Sequence, residues 1–210
     1  MAKIKICGLT RLEDIAAVNC WKPDYIGFVF AKSRRQVTRE QAAELKKWLR
    51  QDIQAVGVFV NSRPEEAAAL FQDGIIDLIQ LHGQETKGTI RRLKELTDGK
   101  APVIKAVRME TEQSIEPWLD SCADYLLLDN GPGGTGQTFD HSLIQPQRIG
   151  KPFFLAGGIN LENAEAAVRS CMPFCLDVSS GVETNGVKDS KKIEELVGIA
   201  RRLKINRIKK

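Results

Sequence analysis

Long apolar runs are missing from this sequence: no stretch of its 210 residues approaches membrane-spanning length. The opening "MAKIKIC" also lacks the hydrophobic region of a secretory signal. A cytoplasmic protein with no membrane partner is therefore expected. Cysteines are few, at positions 7, 20, 122, 171 and 175, and no CxxC pair occurs. An odd count without paired spacing argues against both a disulfide framework and a zinc site. Cys20, Cys122, Cys171 and Cys175 are expected to behave as small buried hydrophobes. Strong charge is missing too. The net charge is +4, and the only dense basic stretch is the end, "RRLKINRIKK". A solvated last helix and tail account for it, so no nucleic-acid partner is expected. Neither a linker nor a break in composition divides the chain, which reads as one domain, residues 1–210.

What is present is a repeating pattern. Hydrophobic residues make up 42% of the chain, enough for one well-filled core. Short β-rich runs recur at roughly 22–28-residue intervals, with helical patterns between them. Strands are expected at 3–7, 25–30, 54–60, 76–81, 102–106, 124–128, 152–156 and 174–178. Several are nearly continuous apolar runs, as buried parallel strands are. Thr10 with Glu13 has the spacing of a helix-opening capping box, and Thr38 opens a second helix. Pro64 suits a first helical turn, Gly74 a helix end, and Asn160 an N-cap. Pro117 interrupts the segment after the fifth strand, so that helix should be short or irregular. Eight strands alternating with about eight helices predict an α/β fold, a (β/α)8 TIM barrel. A doubly wound open sheet is the alternative, but it usually has fewer strands.

Chemistry in such a barrel sits at the C-terminal ends of the strands. Here those ends carry Cys7-Gly8, the loop "AKSRRQV", Asn61, Gln80 to Gly83, Arg108, Asp129, Gly157-Gly158, and Asp177 through Gly181. A purely structural barrel has no need of reactive and glycine residues at nearly every tip. Paired glycines before a helix in "AGGIN", and Ser180-Gly181 in "SSGVE", suggest a phosphate site, because backbone N–H groups can approach an anion there. Tight turns alone would also use such glycines. Asp129, beside the loop "NGPGGTGQTFD", is a candidate general acid; a helix cap or ion-pair partner is the plainer role. Cys7 is a candidate base or nucleophile if its thiol, ordinarily near a pKa of roughly 8.5, is lowered toward neutrality. Taken alone it would read as a small buried residue. His82, one of two histidines, fits a substrate contact or a supporting role. Arg34 and Arg35 fit either a solvated pair or recognition of a carboxylate or phosphate.

Taken in order, "KICGLT", "GFVFAKSRRQV", "GVFVN", "IQLHG", "LLLDNGPGGTGQTFD", "FLAGGIN" and "LDVSSGVE" resemble the phosphoribosylanthranilate isomerase family of tryptophan biosynthesis, over residues 3 to 195. The resemblance implies an Amadori rearrangement of N-(5-phosphoribosyl)anthranilate to 1-(2-carboxyphenylamino)-1-deoxyribulose 5-phosphate. It implies Cys7 as general base and Asp129 as general acid. Arg35, rather than Arg34, would lie by the anthranilate end, with His82 and Asp177 at the mouth of the site. Gly134, Gly157, Gly158, Ser180 and Gly181 would cradle phosphate and sugar. No metal or redox cofactor is implied, because the substrate supplies its own iminium. The partner is a phosphorylated small molecule, and the assembly a monomer or homodimer. One departure is visible: Phe139-Asp140-His141 stands where the family commonly has Phe-Asp-Trp. Two other readings stay open, a histidine-pathway aminoaldose isomerase and a non-catalytic phosphate-binding barrel.

Overall fold

A computed structural model of the chain describes residues 2–129 and 144–203. Eight parallel strands close into a barrel in chain order: β1 (Lys3–Cys7), β2 (Tyr25–Val29), β3 (Gln54–Phe59), β4 (Leu78–Leu81), β5 (Val103–Arg108), β6 (Tyr125–Asp129), β7 (Phe153–Leu155) and β8 (Cys175–Val178). Closure is complete because β1 pairs with β8, Lys5 lying opposite Asp177. The fourth and seventh strands are shorter than expected and the fifth runs on to Arg108.

Seven α-helices occur among the described residues: α1 (Leu12–Trp21), α2 (Arg39–Trp48), α3 (Pro64–Gln72), α4 (Lys87–Leu96), α5 (Glu116–Leu119), α6 (Ala164–Cys171) and α7 (Ser190–Arg202). Thr38 caps α2 as expected, accepting from the Gln41 N–H at 3.2 Å while the Gln41 side chain returns a bond to the Thr38 N–H. The fifth crossover is a 3₁₀ turn at Glu112–Ile115 followed by one helical turn containing Pro117. The expected start of α1 is corrected. Glu13 is exposed, and the buried Asp14 instead accepts from the backbone N–H groups of Thr10 and Arg11, at 3.0 and 3.2 Å. The cap moves one residue along because only Asp14 faces the orphan donors. Asn160 is corrected likewise. Its side chain closes a turn by accepting from Glu162 and Asn163, and α6 begins at Ala164 with Asn163 as N-cap. Of the cysteines, Cys171 and Cys175 are buried, but Cys20 and Cys122 are exposed, the one late in α1 and the other in the turn before β6.

Side chains alternate between the two faces of each strand, so one set points at the helices and the other fills the barrel. Ile4 and Ile6 belong to the large outer core. The bottom of the barrel is a separate apolar layer of Tyr25, Val56, Leu78, Ile104, Phe154 and Cys175. Above it lie three buried polar side chains that point inward: Lys5, Gln80 and Asp177. The layer above that is the rim, where Cys7 and Asp129 end their strands. No helix among the described residues is long and apolar enough to cross a membrane.

Candidate active site

Cys7 reaches the rim because Lys3, Lys5 and Cys7 share the inward face of β1. Its neighbour in register is Gly27 of β2. A Cβ on Gly27 would lie 2.6 Å from the Cys7 sulfur, so glycine there keeps the space the thiol occupies. Gly27→Ala is therefore expected to displace the sulfur while leaving the barrel folded. Steady-state assay of that variant against thermal unfolding separates the two: activity should fall more than about tenfold, with a stability loss within about 1–3 kcal/mol.

Beneath Cys7, the Lys5 ammonium is 0% exposed and donates to Asp177 Oδ2 at 2.9 Å and to Gln80 Oε1 at 2.8 Å. Burial by itself would lower the Lys5 pKa, but the adjoining Asp177 charge, joined by Cys7 when its sulfur ionises, outweighs it and the net shift is upward. Asp177 Oδ1 is buried and has no hydrogen-bond partner among the described residues. Asp177 is among the residues that line the cavity, which makes this unpaired oxygen the candidate acceptor for a bound hydroxyl. On β4, Gln80 continues to His82, with Gln80 Nε2 3.0 Å from His82 Nδ1. His82 Nε2 in turn lies 3.3 Å from Asp129 Oδ2.

The loops after β7 and β8 form one wall. Gly157 and Gly158 both take positive φ, 85° and 69°, which turns the chain sharply before α6. Gly181 bridges to Asn160, and any Cβ on it would run into the Ile159 carbonyl oxygen. Glycine at 181 thus lets the two loops touch. Gly134, like Phe139, Asp140 and His141, lies outside the described residues.

A cavity of about 290 Å³ joins these pieces. Cys7, Asp129 and His82 line it, as do Gly157, Gly158 and Ser180. Arg35 lines it too, whereas Arg34 does not. Gly181 is not among the residues that line it. A larger cleft of about 760 Å³ shares His82 and Asp129 but is otherwise lined by residues such as Lys105, Glu85, Arg108 and Trp118. There Lys105 donates to Glu85 at 2.9 Å and lies 5.1 Å from the centre of the Trp118 ring. Only the smaller cavity brings Cys7 and the glycine loops after β7 and β8 together with Asp129, so it is the candidate reaction site. No group of three or more His, Cys, Asp or Glu is placed to hold a metal among the described residues.

The sequence reading named Gln80 only as a strand end, without a role, and missed three residues at this site: Lys5, Glu183 and Lys188. The last two sit on a hairpin, β9 (Glu183–Thr184) with β10 (Val187–Lys188), turned by Asn185-Gly186. An Asn-Gly pair is a strong hairpin signal and was available in the sequence. Glu183 binds Arg35 in a two-pronged contact at 2.7 and 2.9 Å, takes Arg34 at 2.7 Å and takes Lys188 at 2.7 Å. The Arg34 side chain is 59% exposed and that of Arg35 23%, which agrees with Arg35 as the cavity residue.

These contacts set protonation. Burial works to raise the Glu183 pKa, but the hydrogen bonds and charges of Arg35 and Lys188 prevail and hold it at about 2, against an ordinary 4.5. Lys188 reads the other way. Burial lowers its pKa by more than Glu183 restores, so the pair stabilises the fold by less than the Glu183 side alone implies. A depressed carboxylate contributes stability above its unfolded value and loses it as pH falls through the folded one. Unfolding stability of the wild type should therefore drop between pH 4.5 and about 2 in a way that Glu183→Gln flattens, measured by denaturant titration across that window. Cys7 runs against expectation. Burial pushes its thiol up and Asp177 adds to this, and the opposing charges of Lys5 and Lys188 do not restore it. The ligand-free site therefore holds a thiol, not a thiolate poised at neutrality.

Comparison with known proteins follows the same lines. The family model described as N-(5'phosphoribosyl)anthranilate (PRA) isomerase matches residues 4–198. The N-(5'-phosphoribosyl)anthranilate isomerase of Endomicrobium trichonymphae is 47% identical over 207 residues, covering 97% of this chain and all of that protein. A crystal structure of phosphoribosyl anthranilate isomerase from Thermotoga maritima superposes with a TM-score of 0.86 at 37% identity, covering 97% of this chain and 100% of that one. A further structure, of phosphoribosyl anthranilate isomerase in complex with reduced 1-(o-carboxyphenylamino)-1-deoxyribulose 5-phosphate, gives 0.83 at 36% identity and the same coverage. With a closed barrel, a thiol and a carboxyl group at one rim cavity, and a match along nearly its whole length, this chain belongs to the N-(5'-phosphoribosyl)anthranilate isomerase family.

Proposed function

We propose that this protein converts N-(5-phosphoribosyl)anthranilate to 1-(2-carboxyphenylamino)-1-deoxyribulose 5-phosphate in tryptophan biosynthesis, with Cys7 as general base and Asp129 as general acid. The observation that carries this assignment is that the two side chains, from β1 and β6, line one cavity walled by the glycine loops after β7 and β8. The phosphate sits against Gly157, Gly158 and Ser180, where backbone N–H groups can face it. Arg35, held by Glu183 through Nε and one terminal nitrogen, keeps its other nitrogen for the anthranilate carboxylate. Asp177 Oδ1 accepts from a sugar hydroxyl.

The steps follow from these placements. Asp129 gives its proton to the ribose ring oxygen. The C1–O bond breaks and the nitrogen lone pair forms a C1=N iminium. Cys7, as thiolate, removes the proton on C2, and that electron pair forms the C1=C2 enolamine, which tautomerises to the ketone. Cys7 first releases its own proton to solvent, and the positive iminium next to it favours the thiolate that burial disfavours in the free site. The substrate's own nitrogen is the electron sink, so the chemistry asks for no cofactor. A cytoplasmic location and a monomeric or homodimeric state complete the proposal.

The test is substrate choice. Loss of phosphoribosylanthranilate fluorescence should follow addition of wild-type protein. The two-phosphate aminoaldose of histidine biosynthesis should turn over far more slowly. Turnover of that second substrate alone, or binding of the first without turnover, would contradict the assignment.

A further inference from the structure

We propose that Lys5 and Gln80 are positioning residues that act through His82 on Asp129, by holding the His82 ring in the neutral form with its proton on Nε2. The proposal rests on Asp129 being the acid of the reaction above. It follows from donor and acceptor chemistry alone. A lysine ammonium has three donors and no acceptor. Lys5 is wholly buried, so the Gln80 atom 2.8 Å from its Nζ must be the amide oxygen. The Gln80 atom facing His82 is then the NH2 group, which can only donate. It lies 3.0 Å from His82 Nδ1, so Nδ1 carries no proton. In a neutral ring the remaining proton is on Nε2, 3.3 Å from Asp129 Oδ2.

Neither alternative form of His82 fits these partners. A proton on Nδ1, in the other tautomer or in the imidazolium, would point at the amide N–H groups. Flipping Gln80 to receive it would turn that NH2 onto the Lys5 ammonium, leaving a buried charge short of an acceptor. Asp177, at 2.9 Å on the far side, keeps that ammonium in place. The chain of contacts thus runs from β8 through β1 and β4 to β6, across the polar layer of the barrel.

The consequence is specific to the acid. His82 presents an N–H to Asp129, not a lone pair, so it does not compete with the ribose oxygen for the carboxyl proton. It rests on Oδ2, which leaves Oδ1 to face the sugar. Once the proton has gone, the carboxylate keeps a donor. In the ligand-free site the 3.3 Å pair is an electrostatic contact without the geometry of a hydrogen bond, and bound substrate is expected to tighten it.

Nitrogen NMR of histidine-labelled protein reads the ring directly. Only His82 and His141 contribute, and a His141→Gln variant identifies the His82 signals. At neutral pH the wild type should show a protonated Nε2 and a bare Nδ1. Gln80→Glu keeps the shape but lets a carboxylate accept from both Lys5 and His82, so Nδ1 should become protonated. With it kcat should fall by about 10–100-fold, less than loss of the acid itself, while KM stays within about threefold. A wild-type ring protonated on Nδ1 would overturn the proposal. So would a Gln80→Glu variant with unchanged ring signals, or one with changed signals and wild-type kcat. Asp129→Asn separates the two levels: full activity there would remove the acid assignment, whereas the wild-type ring signals test Lys5 and Gln80 independently of turnover.

Discussion

Cys7→Ala is expected to lower kcat by about 10²–10⁴-fold, the usual contribution of a positioned base, while KM changes little. No other cysteine among the described residues can take its place. Cys175, the other inward cysteine, lies in the apolar layer at the bottom of the barrel, and its thiol is pushed well above its ordinary value, chiefly by burial. Ser179 donates to the Cys7 backbone oxygen at 3.0 Å and belongs to the neighbouring strand end. Cys7→Ser should be nearly as damaging as alanine, because a hydroxyl is far less acidic than a thiol. The raised thiol adds a pH signature. Its reactive form grows as pH rises, so alkylation of Cys7 in ligand-free protein should be slow at neutral pH and accelerate only at alkaline pH, above the range of an ordinary thiol. Peptide mapping is needed, since Cys20 and Cys122 are exposed and will react first. Fast alkylation of Cys7 at neutral pH would contradict the protonation state drawn here.

Asp129→Asn should cost a similar ~10²–10⁴-fold in kcat, for a different reason. The amide keeps the shape and can still meet His82, but it has no proton to give at a useful acidity. Ring opening then becomes the slow step. A substrate analogue already opened, such as the reduced product, should bind the variant about as well as the wild type. Equilibrium binding of that compound, measured beside the steady-state assay, distinguishes a missing proton donor from a damaged pocket. A parallel loss of binding would mean that Asp129 holds the ligand instead of reacting with it.

Much of the scaffold was legible in the sequence because buried parallel strands are continuous apolar runs, as in "YLLL" and "FFLA". The rim residues followed, since strand ends in a barrel point to one mouth. Capping was harder. Thr10 and Glu13 have the right spacing, but which carboxylate turns inward depends on packing, and that favours Asp14. The polar layer was legible only in part: Gln80 and Asp177 stood out as strand-end residues, but Lys5 did not. "KIKIC" reads as lysines facing water, yet here the isoleucines face the helices and Lys5 faces into the barrel. What makes this tolerable is Asp177, 172 residues away in sequence, and Gln80, 75 away. Glu183 was missed for the same reason, its partner Arg35 being 148 residues distant. Period-2 patterning tells the two faces apart but not which is inside when both are covered. The thiol's raised pKa was likewise hidden, because burial at the barrel rim outweighs lysines that sequence alone does not place.

The most direct measurement is a crystal structure of this protein with reduced 1-(o-carboxyphenylamino)-1-deoxyribulose 5-phosphate. Phosphate should lie on the loops after β7 and β8, the Cys7 sulfur beside C2 of the sugar, and the Asp129 carboxyl group at the opened ring oxygen. Phosphate bound instead in the cleft beside Lys105 and Arg108, with the Cys7 sulfur touching no part of the sugar, would contradict the assignment of both catalytic groups.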